Sequence, residues 1–184
     1  RSSDLDTQYR LTGVITKVAN STYGNIYIAY YTGEVYVYGI GAKGDFEKLG
    51  LKVGDVVTLV GKRGAYKDSP QMTGGQFENL DYQVESISIA DFRNLSDNTS
   101  KYYLISGTIS EATESGTKND VTQYGNFNLT DDSGSVYIYG VLKGWGGPKG
   151  QFGDLNLTWG DKLTIIAYKT TYKGLVEAVG VYLS

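Results

Sequence analysis

The amino-acid sequence predicts an all-β protein built as two tandem five-stranded Greek-key barrels, each with at most a short helix. Three observations predict it. The 184 residues hold 25 glycines and 17 tyrosines but only two prolines, a composition suited to strands joined by tight turns. Apolar residues alternate with polar or aromatic ones at a period of two, the mark of strands with one buried face. The whole pattern also occurs twice. Tyr23-Gly24-Asn25-Ile26 returns as Tyr124-Gly125-Asn126-Phe127, and Gly33-Glu34-Val35-Tyr36-Val37-Tyr38-Gly39 as Gly134-Ser135-Val136-Tyr137-Ile138-Tyr139-Gly140. Gly54-Asp55 and Tyr66-Lys67 match Gly160-Asp161 and Tyr172-Lys173 in the same order. The copies span residues 1–85 and 86–184, with a linker and short helix over about 86–101.

The elements follow in order. Leu11–Ile15 and Ile105–Ile109 open the copies, and each carries a glycine in mid-strand, Gly13 or Gly107, that marks a bend or bulge. Ile26, Ile28, Val35 and Val37 alternate with Tyr27, Tyr36 and Tyr38 in strands two and three. Phe127, Leu129, Val136 and Ile138 alternate with Asn128, Tyr137 and Tyr139 in the second copy. Tyr31-Thr32-Gly33 and Asp132-Ser133-Gly134 are the turns between them. A connection with room for one helical turn follows, Lys43–Leu51 or Lys143–Leu157. Strand four begins after Gly-Asp, as Val56–Val60 or Lys162–Ile166, and strand five lies near Gln76–Leu80 or Glu177–Leu183. Five strands, a bent first strand and an insert between strands three and four describe the OB-type barrel. Closure removes the exposed edges that Tyr- and Val-rich strands would otherwise present for aggregation.

Composition excludes several function classes. There is no His and no Cys, so imidazole bases, thiol nucleophiles, Cys–His metal sites and disulfides are all absent. No acid pair recurs between the copies. The expectation is a binding module rather than an enzyme, with no cofactor and no metal. Asp131-Asp132-Ser133-Gly134 lacks the spaced oxygen ligands of a calcium loop and reads as a turn. Asp55 and Asp161 read as turn carboxylates. The run Gly144–Gly150 lacks the Gly-Lys-Ser/Thr of a phosphate loop.

The repeated Tyr-Gly-Asn, Gly-x-Val-Tyr-(Val/Ile)-Tyr-Gly and Gly-Asp motifs resemble those of bacterial extracytoplasmic tandem OB-fold proteins, lipoproteins classed as nucleic-acid binding. The resemblance implies a periplasmic or cell-surface location. It also implies a signal and a lipid-bearing Cys upstream of Arg1, the only expected contact with a membrane. It further implies single-stranded nucleic acid as partner, with an oligosaccharide or a protein as the alternative.

On this barrel the outward face of strands two and three, with the loops joining strands one and two and strands four and five, forms the usual groove. The candidate contacts are Tyr27, Tyr36 and Tyr38, with Tyr137 and Tyr139 as their counterparts. These rings read two ways, as stacking platforms for bases or as cross-strand packing within the sheet. Lys62, Arg63, Tyr66 and Lys67 cluster in the four–five loop of the first copy, and Lys169, Tyr172 and Lys173 in the second. A cation beside a ring suits a phosphate-bearing, stacking ligand, and a solvated loop is the other reading. Trp145, among glycines, reads as an exposed loop contact or as a cover for the barrel end, and Trp159 as packed. The net charge of −3 is lower than phosphate tracking normally requires. The loop joining strands one and two is seven residues longer in the second copy. Around Glu111–Asp120 it carries Glu111, Glu114 and Asp120 against Lys118, which predicts that the first barrel binds polyanions better.

Overall fold

A computed structural model describes residues 7–114, 117 and 124–184. The chain divides into two compact units, Arg1–Gln83 and Val84–Ser184. The first holds β1 (Gln8–Asn20), β2 (Asn25–Tyr30), β3 (Gly33–Ile40), α1 (Asp45–Leu49), β4 (Val56–Tyr66) and β5 (Ser69–Tyr82). Its strands close in the order β1-β2-β3-β5-β4, with β3 and β5 parallel and the other pairs antiparallel. This is the OB-type connectivity that the repeat predicts.

The second unit repeats it with β7 (Asn98–Ser110), β8 (Phe127–Asp131), β9 (Gly134–Ile138), β10 (Lys162–Tyr172) and β11 (Leu175–Tyr182). Strand β10 pairs with β7 to close this barrel, and β9 runs parallel to β11. A short β6 (Glu85–Ser86) lies parallel on the part of β7 that β8 does not reach, and α2 (Ile89–Arg93) follows it. A single 3-10 turn, Phe152–Leu155, stands where α1 stands in the first copy.

The mid-strand glycines have a steric reason. Strand β1 leaves β4 and joins β2 at Val14, and there a Cβ on Gly13 would lie 2.5 Å from the Ala29 carbonyl oxygen. Gly107 stands at the same crossing in β7, 2.4 Å by the same measure from the Thr130 oxygen. The bulge itself falls three residues past Gly13, at Thr16 between Ile15 and Lys17.

Each barrel has its own core. Ile15, Ile26, Ile28, Val37, Ile40, Phe46, Val57 and Leu59 fill the first, with Phe46 of α1 plugging it. Ile105, Ile109, Phe127, Leu129, Val136, Ile138, Phe152 and Ile165 fill the second, where Phe92 of α2 joins them. The residues that the period of two assigns inward are the ones found there. Burying each such side chain contributes about 1.5–3 kcal/mol before entropy is counted.

Strands four and five are longer than the sequence predicts, because the segment between them is not a loop. Strands β4 and β5 pair as far as Tyr66↔Ser69, and only Lys67 and Asp68 turn the chain, at φ 48° and 66°. In the second barrel Tyr172↔Leu175 flank Lys173 and Gly174, at φ 49° and 80°. Two consecutive left-handed residues make a type I′ hairpin, whose twist matches that of its strands. Lys62, Arg63 and Lys169 are therefore strand residues. Pro70 sits inside β5 opposite Ala65, where the pairing tolerates its missing N–H.

Candidate functional site

Register fixes which side chains share a face, since directly paired residues of a sheet point the same way. In the first barrel the pairs Tyr27↔Tyr36, Tyr36↔Gln71 and Gln71↔Gly64 place one row across β2, β3, β5 and β4. Tyr38↔Thr73 and Thr73↔Lys62 place a second row beside it. Val37 and Met72, between these positions, point into the core. Both rows lie on the outside of the barrel.

The phenols meet there as the alternation predicts. Tyr27 and Tyr36 have ring centroids 5.0 Å apart at 48°, and Tyr36 and Tyr38 6.5 Å apart at 56°. Such tilted contacts contribute about 0.5–1.5 kcal/mol beyond burial. Tyr38 is 62% exposed, whereas Tyr27 and Tyr36 are half-buried, so the stripe is packed on itself and opens to solvent at Tyr38. Burial, together with its two phenol neighbours, pushes the Tyr36 hydroxyl above the usual tyrosine range, so it stays a neutral donor and acceptor. Lys17, paired with Tyr27 across β1 and β2, holds its ammonium 5.8 Å from that ring. Glu34 is engaged by the Thr16 hydroxyl at 2.7 Å.

Along β4, Lys62, Gly64 and Tyr66 share this face, whereas Arg63 points to the other side of the hairpin. At the tip Tyr66 is 64% exposed with the Lys67 ammonium 5.4 Å from its ring. The structure thus gathers Tyr27, Tyr36, Tyr38, Lys62 and Tyr66 on one face with Lys67 at its rim, and leaves Arg63 off it.

The second barrel uses the same positions differently. Asn128↔Tyr137, Tyr137↔Glu177 and Glu177↔Thr170 form the row that corresponds to Tyr27, Tyr36, Gln71 and Gly64. That row is covered: Tyr137 is 4% exposed, Glu177 6% and Asn128 8%. At one end of it Glu114 accepts a hydrogen bond from Asn128 Nδ2 at 3.3 Å. Lys118 and Asp120 of the expected acidic loop lie outside the described residues. Burial raises the Glu177 carboxyl above the usual carboxylate range.

Lys169 is tied to the scaffold, its ammonium donating to the Leu95 carbonyl and lying 3.6 Å from Asp97. Trp145 is half-buried, packed edge-on against Tyr102 at 5.3 Å, while Tyr102 meets Tyr168 at 5.5 Å. Trp159, expected to be packed, is 39% exposed, while Trp145 follows the packed one of its two readings. Tyr102 provides the partner that draws Trp145 down. Tyr139 and Tyr172 remain open, each under an ammonium, Lys149 at 5.1 Å and Lys173 at 5.3 Å.

The conspicuous carboxylates are structural. Asp55 is wholly buried, accepting from the Lys52 amide at 3.0 Å and the Lys52 ammonium at 3.1 Å, and Asp161 accepts from the Thr158 amide. Asp131 accepts from the amides of Ser133 and Gly134 and, across 42 residues, from the Ile89 amide at the start of α2. Among the described residues no three acids cluster to hold a metal ion, and no helix is long and apolar enough to cross a membrane.

Lys17, Gln71, Thr73 and Gly64 belong to the first-barrel face and were not singled out by sequence reasoning. Alternation of Gln71 and Thr73 around Met72 was the available signal, obscured by Pro70 and by the reading of this stretch as loop. No family model matches the chain, and no curated protein matches it.

Proposed function

We propose that this protein is a non-enzymatic binding module whose first barrel takes single-stranded nucleic acid, or a similar polyanion carrying flat rings, across β2, β3, β5 and β4. One observation carries this reading: the stripe of three phenols, half-buried at Tyr27 and Tyr36 and exposed at Tyr38, flanked by Lys17 and Lys62, neither of which is in an ion pair among the described residues. Stacking on aromatic side chains contributes about 1–3 kcal/mol per base, and scattered lysines meet the phosphates. The family resemblance supports the same ligand and an extracytoplasmic setting.

With two to four phosphates met at about 0.7 per contact, the log–log salt slope lies near −1 to −3. Fluorescence anisotropy with labelled single-stranded DNA and RNA across a salt series measures it. Tyr36→Ala or Tyr38→Ala weakens binding by about 1–3 kcal/mol without loss of fold. Absence of binding even at about millimolar affinity, roughly −4 kcal/mol, in low salt overturns the reading. A neutral oligosaccharide is the second reading, favoured by the net charge of −3 and the uncharged Gln71 and Thr73 beside the phenols. Its binding is insensitive to salt, so the same series separates the two.

A further inference from the structure

We propose that the second barrel binds a small tetrahedral oxyanion, phosphate or a phosphate monoester, in a cavity between β7 and β10 where Lys101 and Lys169 neutralise it. This site is separate from the phenol stripe of the first barrel, and neither depends on the other.

The cavity comes from a mismatch between the two strands. Ala167 pairs with Tyr103, and Lys169, two residues further along β10, pairs with Asn98, five residues back along β7. Three residues of β7 therefore bow out of the ladder, an irregularity of the kind that re-aims the side chains around it. The first barrel has none here, since Gln8–Val14 pair with β4 without a break, and Thr7 and Arg63 stand where the second copy has Lys101 and Lys169. Beside the bow lies a cavity of about 210 Å³, bordered by Lys101, Tyr103 and Lys169 and by Ser96, Asp97 and Asn98. A sphere of that volume is about 7 Å across, which takes one phosphate group with donors at about 2.8 Å from its oxygens.

The border of this cavity has donors to spare. The Lys169 side chain is 11% exposed, and its ammonium donates to the Leu95 carbonyl and lies 3.6 Å from Asp97. An ammonium has three N–H groups, so one is left unengaged. Asp97 is already occupied, by Lys169 and by the Thr171 hydroxyl at 3.0 Å. The Lys101 ammonium stands 5.5 Å from the Tyr103 ring and makes no ion pair among the described residues. The Asn98 carboxamide oxygen accepts from the Ser100 amide at 2.9 Å, which leaves its amino group as a donor. Among the described residues nothing hydrogen-bonds the Ser96 or Tyr103 hydroxyl. Two ammoniums thus face one carboxylate, with amide and hydroxyl donors beside them. An anion with several acceptor oxygens satisfies both the charge and the donors.

The test titrates the full chain with inorganic phosphate and with phenyl phosphate, in chloride at constant ionic strength. Binding is read by calorimetry and by broadening of the ligand's phosphorus resonance. Lys101→Gln and Lys169→Gln are each expected to weaken phosphate by about tenfold or more, since each removes a charge-assisted donor. Lys169→Gln also gives up the Leu95 and Asp97 contacts. Lys101→Gln loses no such tie, so it decides the matter if the other variant folds poorly. Lys162→Gln removes the same charge elsewhere on this barrel and is expected to leave the affinity unchanged. Tighter binding of phenyl phosphate supports a site for phosphate carried on a larger molecule, and tighter binding of inorganic phosphate a site for the free ion. The site is overturned if the wild type binds neither ligand or if Lys101→Gln binds as the wild type does. It is equally overturned if Lys162→Gln weakens binding as much as Lys101→Gln.

Discussion

Asp131 shows how one side chain joins a turn to a helix. Burial opposes its charge, but hydrogen bonds from the Ser133 hydroxyl and the amides of Ile89, Ser133 and Gly134 outweigh that cost and hold its carboxyl below the usual range. A depressed pKa means stability that is present at neutral pH and lost as pH falls through the folded-state value. Asp131→Asn should therefore lower stability by about 1–3 kcal/mol at neutral pH. The difference from wild type should shrink in acid, as thermal melts across pH would show. Glu177 behaves in the opposite sense. Its pKa is raised by burial, so the folded state holds the proton more firmly, and stability falls as pH rises from the ordinary carboxylate value through the folded one. Glu177→Gln, which copies Gln71, should raise the second barrel's Tm by about 2–5 °C at neutral pH. The gain should disappear below the ordinary carboxylate range, and a melt unchanged at neutral pH would contradict the argument.

At the scale of the element, the hairpin joining β4 and β5 shows what the sequence reveals and what it hides. Alternation made strands two and three legible residue by residue, and with them the phenol stripe, because each apolar position faces a core that the same strand builds. The hairpin was not legible. Its turn places Lys at φ 48°, where Asn or Gly is usual, and its fifth strand contains Pro70, so local preference pointed to a loop. Pairing with β3 overrides that preference and carries Gln71 and Thr73 onto the site. Tyr137 differs for another reason: alternation correctly turns it off the core of its own barrel, but the row it shares with Asn128 and Glu177 is buried, which spacing along one strand does not reveal. Lys67→Asn should relieve the left-handed strain and raise stability by about 0.5–1 kcal/mol. It should also remove the cation over Tyr66 and flatten the salt slope of oligonucleotide binding by about 0.7. Urea melts and the anisotropy series report the two effects separately.

At the scale of the whole molecule, the two cores share no residue, and each barrel closes on strands from its own unit. Units of about 80–100 residues lie in the range that folds alone. Separate fragments 7–83 and 84–184 should each give a cooperative melt by circular dichroism, and its absence from both would refute independent folding. The position of the cut matters. Val84 is 2% exposed, Glu85 and Ser86 form β6 against β7, and Ile87 packs on the second core. A fragment starting at Ser88 loses these contacts, worth about 2–3 kcal/mol, and should melt about 10 °C below the fragment starting at Val84.

The indole of Trp145, resting edge-on against Tyr102, gives this duplicated molecule an optical label that nature placed on one copy only. Both tryptophans of the chain, Trp145 and Trp159, belong to the second unit, and the first contains none. Emission excited selectively from indole therefore follows the melting of the second barrel alone, and its intrinsic colour changes when Trp145 parts from Tyr102. Ligand added to the phenol stripe acts on tyrosine emission instead. The unfolding of the second barrel can thus be followed within an intact chain through its own indoles, without a dye or a tag.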